Sequence, residues 1–207
     1  MYKPQIKASH IANLTDARYF AAWGAEWMGF TLEAGQEHYI APAQVAAIKE
    51  WVEGPKMVGE FSGLDTKLIE EAITLLGLDG VEVSQFADLE KINQSIPIMV
   101  NIVMTPEMMP DVLIELLKQK AKAHYCILDF SKNKITPDIF SPSLLCELVN
   151  DYPIFIHPGK HSQTVQTILD TIQPMGLSLA GGAEEKVGLK SFDELDEIFD
   201  LLEPLRF

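Results

Sequence analysis

Gly176–Lys190 reads G-L-S-L-A-G-G-A-E-E-K-V-G-L-K. Leu177–Ala180 is a short apolar run of strand type. It breaks at Gly181-Gly182, and Ala183-Glu184-Glu185 then reads as the opening of one short helical turn. Adjacent glycines let backbone N–H groups approach a ligand closely, because no Cβ intervenes. A helix start just beyond adds free N–H donors and the positive end of a dipole. The pattern fits either a tight strand-to-helix turn or a phosphate cradle. Position favours the cradle, since this is the last strand of a regular series, where barrels of alternating strand and helix often hold a phosphate. A nucleotide P-loop is excluded: residues 182–191 read G-x-x-x-x-x-G-L-K-S, not G-x-x-x-x-G-K-[ST].

Working outward from that stretch, apolar runs alternate with segments of helical period. The strand-like runs are Gln5–His10, Trp27–Thr31, Lys56–Phe61, Gly80–Ser84, Ile98–Met104, His124–Asp129, Ile154–His157 and Leu177–Ala180. The helical segments start at Asn13 or Thr15 (through Trp23) and continue with Pro42–Val52, Asp65–Leu76, a short one near Ala87–Asn93, and one opened by Thr105-Pro106-Glu107. Ser141–Asn150, Ser162–Ile172 and Phe192–Leu202 complete the series. Strand-then-helix units repeated along 207 residues predict a single-domain (β/α)8 TIM barrel over residues 1–207. An open doubly wound sheet is the alternative. Val58, Val83, Val100 and Ile127 are the apolar residues expected to face the barrel interior.

Composition sets limits. A length of 207 residues, 47 % hydrophobic and 22 % charged, suits one α/β domain. A net charge of −14 argues against nucleic acid or an anionic membrane as partner, but not against a small anion held by backbone N–H groups. No apolar run reaches membrane-spanning length. Met1-Tyr2-Lys3-Pro4 passes at once into a strand-like run and does not read as a signal peptide. Cys126 and Cys146 lie in apolar runs and read as buried thiols, so a cytoplasmic home is expected.

In a barrel, chemistry gathers where the strands end. Those ends carry Ser9-His10, Thr31, Glu60, Glu82, Asn101, Asp129, His157 and the 180–184 loop. Asp129 closes the apolar run Y-C-I-L. It reads either as a general acid or base or as a loop-capping carboxylate. His157-Pro158-Gly159-Lys160-His161-Ser162 is a second polar loop that could share an anion with the 180–184 loop. The five histidines show no H-x-H or H-E-x-x-H spacing, so no metal is expected.

These residues resemble the phosphoribosylanthranilate isomerase family of tryptophan biosynthesis. Ile6–Asn13 resembles the opening K-I-C-G-I-T-N, and Gly24–Phe30 resembles G-A-D-x-L-G-F. His38-Tyr39-Ile40 resembles R-Y-I, and Val81–Ser84 resembles V-Q-L-H. Leu128-Asp129 matches the family's L-D. Ser178–Lys190 resembles D-V-S-S-G-V-E-x-x-P-G-x-K, with Gly182, Glu184, Gly188 and Lys190 identical.

The resemblance implies a (β/α)8 barrel that performs an Amadori aldose-to-ketose isomerisation of N-(5-phosphoribosyl)anthranilate. A carboxylic acid opens the sugar ring and a cysteine thiolate removes the neighbouring carbon-bound proton. It places Asp129 at the acid position and Ser9 at that of the base. It assigns substrate contacts to His38, Glu82, Gly159, Lys160, Gly181 and Gly182, with no metal or cofactor. The ligand is a phosphorylated sugar and the protein a monomer or homodimer. This chain departs from the family at several points. Ser9 stands for the cysteine, and a hydroxyl is a far weaker base than a thiolate. His38 stands for the arginine that meets the aromatic acid, Ser131–Phe140 contains no glycine, and Pro158-Gly159 replaces a Gly-Gly pair. Weak isomerase activity with retained phosphosugar binding is therefore expected. An isomerase or lyase acting on another phosphosugar, or a non-catalytic binding barrel, is the alternative.

Overall fold

The computed structural model describes residues 2–63, 65–92, 95–159, 162–181, 183–186 and 189–203. Among them, eight parallel strands close into one barrel: β1 (Gln5–Ser9), β2 (Trp27–Thr31), β3 (Lys56–Phe61), β4 (Gly80–Ser84), β5 (Ile98–Val103), β6 (Tyr125–Asp129), β7 (Ile154–His157) and β8 (Gly176–Ala180). Closure comes from β1 pairing with β8 over Gln5↔Gly176 through Ser9↔Ala180. The helices are α1 (Leu14–Ala22), α2 (Pro42–Lys49), α3 (Thr66–Leu76), α4 (Pro110–Gln119), α5 (Pro142–Asp151), α6 (Ser162–Thr167) and α7 (Asp193–Leu202). A π-helical turn, Ile168–Ile172, continues α6. No helix of the described residues is long and apolar enough to cross a membrane.

Local chemistry explains the element ends. Asn13 caps α1 by accepting from the Asp16 N–H. Asp65 accepts from the N–H groups of Lys67 and Leu68, and Gly77 closes α3 in the left-handed conformation. Three expectations are corrected. Thr105-Pro106 does not open a helix; α4 begins at Pro110. A helix begun at Pro106 would carry Pro110 inside it, where the missing N–H and the ring clash break the hydrogen-bond ladder. The segment near Ala87–Asn93 is a single 3-10 turn, Leu89–Lys91, capped by Asp88. Ala183–Lys186 is not a helical turn but β9, an antiparallel partner of β10 (Leu189–Ser191). Lys186 pairs with Leu189, Glu184 with Lys190 and Ala183 with Ser191. Among the described residues, no helix follows residue 181 before α7.

Side chains alternate along each strand, which decides what fills the barrel. Trp27, Val58, Met99, Ile127 and Phe155 form a closed apolar plug inside it, with Tyr125 packed against them. Val58 and Ile127 thus face inward as expected. Val83 and Val100 do not: they belong to the larger core between the strands and the helices. Their strand neighbours Glu82 and Asn101 take the interior positions instead and bond to each other. Cys126 is buried in the outer core, whereas Cys146 is half-buried and donates its S–H to the Thr171 carbonyl.

Candidate active site

Above the apolar plug the barrel interior turns polar. Lys7 on β1 is fully buried. Its Nζ lies 2.6 Å from Glu60 Oε1, 2.7 Å from Glu82 Oε2 and 2.7 Å from Ser9 Oγ. Two of the ammonium's N–H donors go to Glu60 and Ser9, while Glu82 Oε2 is held at ion-pair distance without an aligned hydrogen bond. Burial alone would push Lys7 down, but Glu60 and Glu82 more than offset it and hold its pKa above the ordinary value. Lys7 is therefore a fixed cation, not a free amine nucleophile. Gly29 makes the room: a Cβ there would lie 2.0 Å from Glu60 Oε1 and 2.9 Å from Lys7 Nζ.

Glu60 organises the next shell toward solvent. Its Oε2 lies 2.9 Å from His10 Nδ1 and accepts from the His10 N–H and from Thr31 Oγ1. Burial would raise the Glu60 carboxyl, but Lys7 and His10 hold it well below the usual carboxylate range. Glu60 in turn raises the His10 pKa against the opposing effect of burial. His10 has φ +56, a backbone conformation uncommon for a residue with a Cβ. Its ring stacks on His38 at a centroid distance of 5.5 Å.

On the far side, Asp129 ends β6 with no solvent exposure. Its Oδ1 accepts from the Ser131 N–H at 2.9 Å and from Ser131 Oγ at 2.6 Å. His157 Nδ1 stands 3.7 Å from the same oxygen, an ion-pair distance rather than a hydrogen bond. Asp129 Oδ2 and Asn101 Oδ1 are buried with no hydrogen-bond partner. Burial pushes the His157 pKa down to about 4, aided by the charges on His10 and Lys7 and opposed by Asp129. At neutral pH one mouth histidine, His10, is biased toward the charged form and the other, His157, is neutral.

Both histidines line a cavity of about 1070 Å³ at the C-terminal ends of the strands. Its walls include Thr31, His38, Glu60, Glu82, Asn101, Gly159 and Ala180, with Lys132 and Lys134 from the loop after β6.

The residues expected from sequence fall unevenly. His38, Glu82 and Gly159 line the cavity. Gly159 adopts φ +79, and a Cβ there would meet nothing within 4 Å. Ser9 and Asp129 are buried beneath the cavity and do not line it. Ser9 Oγ accepts from Lys7 and shares a 2.6 Å hydrogen bond with Ser178 Oγ, so no described base stands ready to take its proton. Cys126 does not replace the missing thiolate, because it packs in the outer core and burial pushes its thiol up to about 11. Gly181 makes its close approach to the protein itself: a Cβ there would lie 2.7 Å from Asp16 Oδ2. Lys160 and Gly182 lie outside the described residues. Asp129 does cap its loop, through Ser131. Sequence reasoning missed Lys7, Ser178, Lys132 and Lys134. Lys7 carried one legible signal, a lysine inside an apolar strand, where a charge requires partners.

No protein-family model matches the chain. It is 24 % identical over 206 residues to N-(5'-phosphoribosyl)anthranilate isomerase of Aquifex aeolicus, covering 93 % of this chain and 95 % of the other. Among solved structures it resembles phosphoribosylanthranilate isomerase of Thermotoga maritima, with a TM-score of 0.79, 18 % identity, and 97 % and 99 % of the two chains covered. It also resembles a phosphoribosylanthranilate isomerase solved with reduced 1-(o-carboxyphenylamino)-1-deoxyribulose 5-phosphate, at a TM-score of 0.77, 19 % identity, and 97 % and 99 % coverage. These structural likenesses establish a shared (β/α)8 fold.

Proposed function

We propose that this chain is a divergent phosphoribosylanthranilate isomerase, an aldose-to-ketose isomerase that holds a phosphorylated sugar at the barrel mouth. One observation carries the reading: the likeness to the Aquifex aeolicus isomerase spans the chain, and Asp129 stands at the family's acid position with Oδ2 unpartnered beneath the cavity. Lys132, Lys134 and the open backbone of Gly159 suit a phosphate. Glu82, in place of a family glutamine, lies against Lys7 and accepts from Asn101 at the cavity wall. The protein acts as a monomer or homodimer, with Lys160, Gly181 and Gly182 contributing to the phosphate loops.

The route through position 9 is weak here. Ser9 is flanked by an ammonium and a hydroxyl, and neither accepts a proton readily. In Ser9→Cys, the Lys7 ammonium beside the thiol would favour the thiolate. Steady-state kinetics on N-(5-phosphoribosyl)anthranilate test this. Wild type should turn over slowly, Ser9→Cys should be at least about tenfold faster, and Asp129→Asn should lose about 100-fold or more. Absence of turnover in both wild type and Ser9→Cys would reject the reading.

A further inference from the structure

We propose that His10, held by Glu60, and His157, set against Asp129, form the proton-transfer pair of this barrel in place of Ser9. The inference rests on the isomerase reading and assigns its chemistry to residues that reach the cavity. Both rings line that cavity, whereas Ser9 lies beneath it, 2 % exposed. Each ring has a carboxylate near Nδ1, at 2.9 Å for His10 and 3.7 Å for His157, which leaves Nε2 as the nitrogen available to a ligand. His10 is fixed by three contacts: Glu60, Thr31 Oγ1 at 3.1 Å and the stacked ring of His38. Its left-handed backbone is the sort of local strain found at functional positions.

The charged groups around the two rings set opposite protonation states. His10 faces Glu60 from β3, Glu82 from β4 and Lys7 from β1, and the carboxylates favour its cation. His157 faces Asp129 from β6, with Lys7, His10 and Glu60 further off, and burial keeps it neutral. Two titratable groups pushed apart in this way supply an acid and a base at one pH.

The step balances. The His10 imidazolium gives its Nε2 proton to the ring oxygen as the C1–O bond breaks. The electron pair goes to that oxygen, and the amine lone pair forms a C1=N iminium. Neutral His157 takes the proton from C2. The C–H pair becomes a C1=C2 bond, and the iminium pair returns to nitrogen. His157 then returns its proton to C1 while neutral His10 takes the 2-hydroxyl proton, which leaves the ketone and restores both rings. Asp129 stabilises the transient His157 cation, so it is a positioning residue here.

The test uses the full chain with N-(5-phosphoribosyl)anthranilate. His10→Asn keeps a residue tolerant of positive φ. His10→Asn and His157→Gln are each expected to lower kcat by about 100-fold or more. The wild-type rate should fall on the acid side as His157 protonates and on the alkaline side as His10 loses its proton, with Glu60→Gln moving the alkaline limb to lower pH. Wild-type kcat in both histidine variants, with a loss confined to Ser9→Ala and Asp129→Asn, overturns the pair and leaves the isomerase reading standing. Absence of wild-type turnover overturns the isomerase reading instead. NMR of the histidine rings titrated with ribose 5-phosphate then judges the pair: shifts at both rings uphold it for another phosphosugar, and shifts at neither overturn it.

Discussion

Lys7 Nζ and Glu60 Oε1 lie 2.6 Å apart inside the barrel, with side-chain exposures of 0 % and 4 %. The pair links the polar interior to the mouth. Its lysine end also holds Glu82 and Ser9, and its glutamate end also holds His10 and Thr31. Removing one member leaves a buried opposite charge behind.

Lys7→Met is expected to cost about 3–5 kcal/mol, because Glu60 and Glu82 lose their shared cation in a low-dielectric interior. Combining it with Glu60→Gln and Glu82→Gln should restore much of that loss, since no uncompensated charge then remains. Urea unfolding of the single and triple variants checks both. Equal stability of wild type and Lys7→Met would contradict the contact.

Gly29→Ala places a Cβ 2.0 Å from Glu60 Oε1. Both ends of the Lys7–Glu60 pair are confined, so the new methyl cannot be accommodated cheaply. A loss of about 1–3 kcal/mol is expected from overpacking, read as a lower Tm.

The mouth histidines give the protein opposite pH sensitivities. The folded pKa of His157, about 4, is below its unfolded value. Its contribution is therefore fully present above about pH 6.5 and is lost as pH falls toward 4, on the order of 3 kcal/mol in all. His157→Gln should flatten that part of a stability-versus-pH curve. A curve that keeps its full acid slope in the variant would show that other groups cause it.

His10 runs the other way. Its folded pKa is raised, so its contribution is fully present below about pH 6.5 and is lost as pH rises through the folded value. Glu60→Gln removes the main cause and should bring the His10 ring titration, followed by NMR, down toward about 6.5. An unmoved titration would mean that Glu82 or the backbone controls His10.

The barrel itself was legible in the chain. Apolar runs of strand length alternate with helical periods, and four of them, Trp27–Thr31, Lys56–Phe61, Gly80–Ser84 and Ile154–His157, match the observed strands residue for residue. Local signals such as the Asn13 cap and the Gly77 stop suffice for this, because they act between residues close in sequence. The strand ends also named Ser9, Glu60, Glu82, Asp129 and His157 as candidates. Sequence alone did not say which of these reach the cavity. In β4 and β5, covered on both faces, Val83 and Val100 are as apolar as the plug residues, so only closure shows that Glu82 and Asn101 face inward. The interior register brings Lys7 to residues 53 and 75 positions away, Glu60 and Glu82. That meeting fixes the buried cation, raises His10 and takes Ser9 out of reach. Such electrostatics depend on distance and dielectric between strands remote in the chain, and those exist only once the barrel has closed.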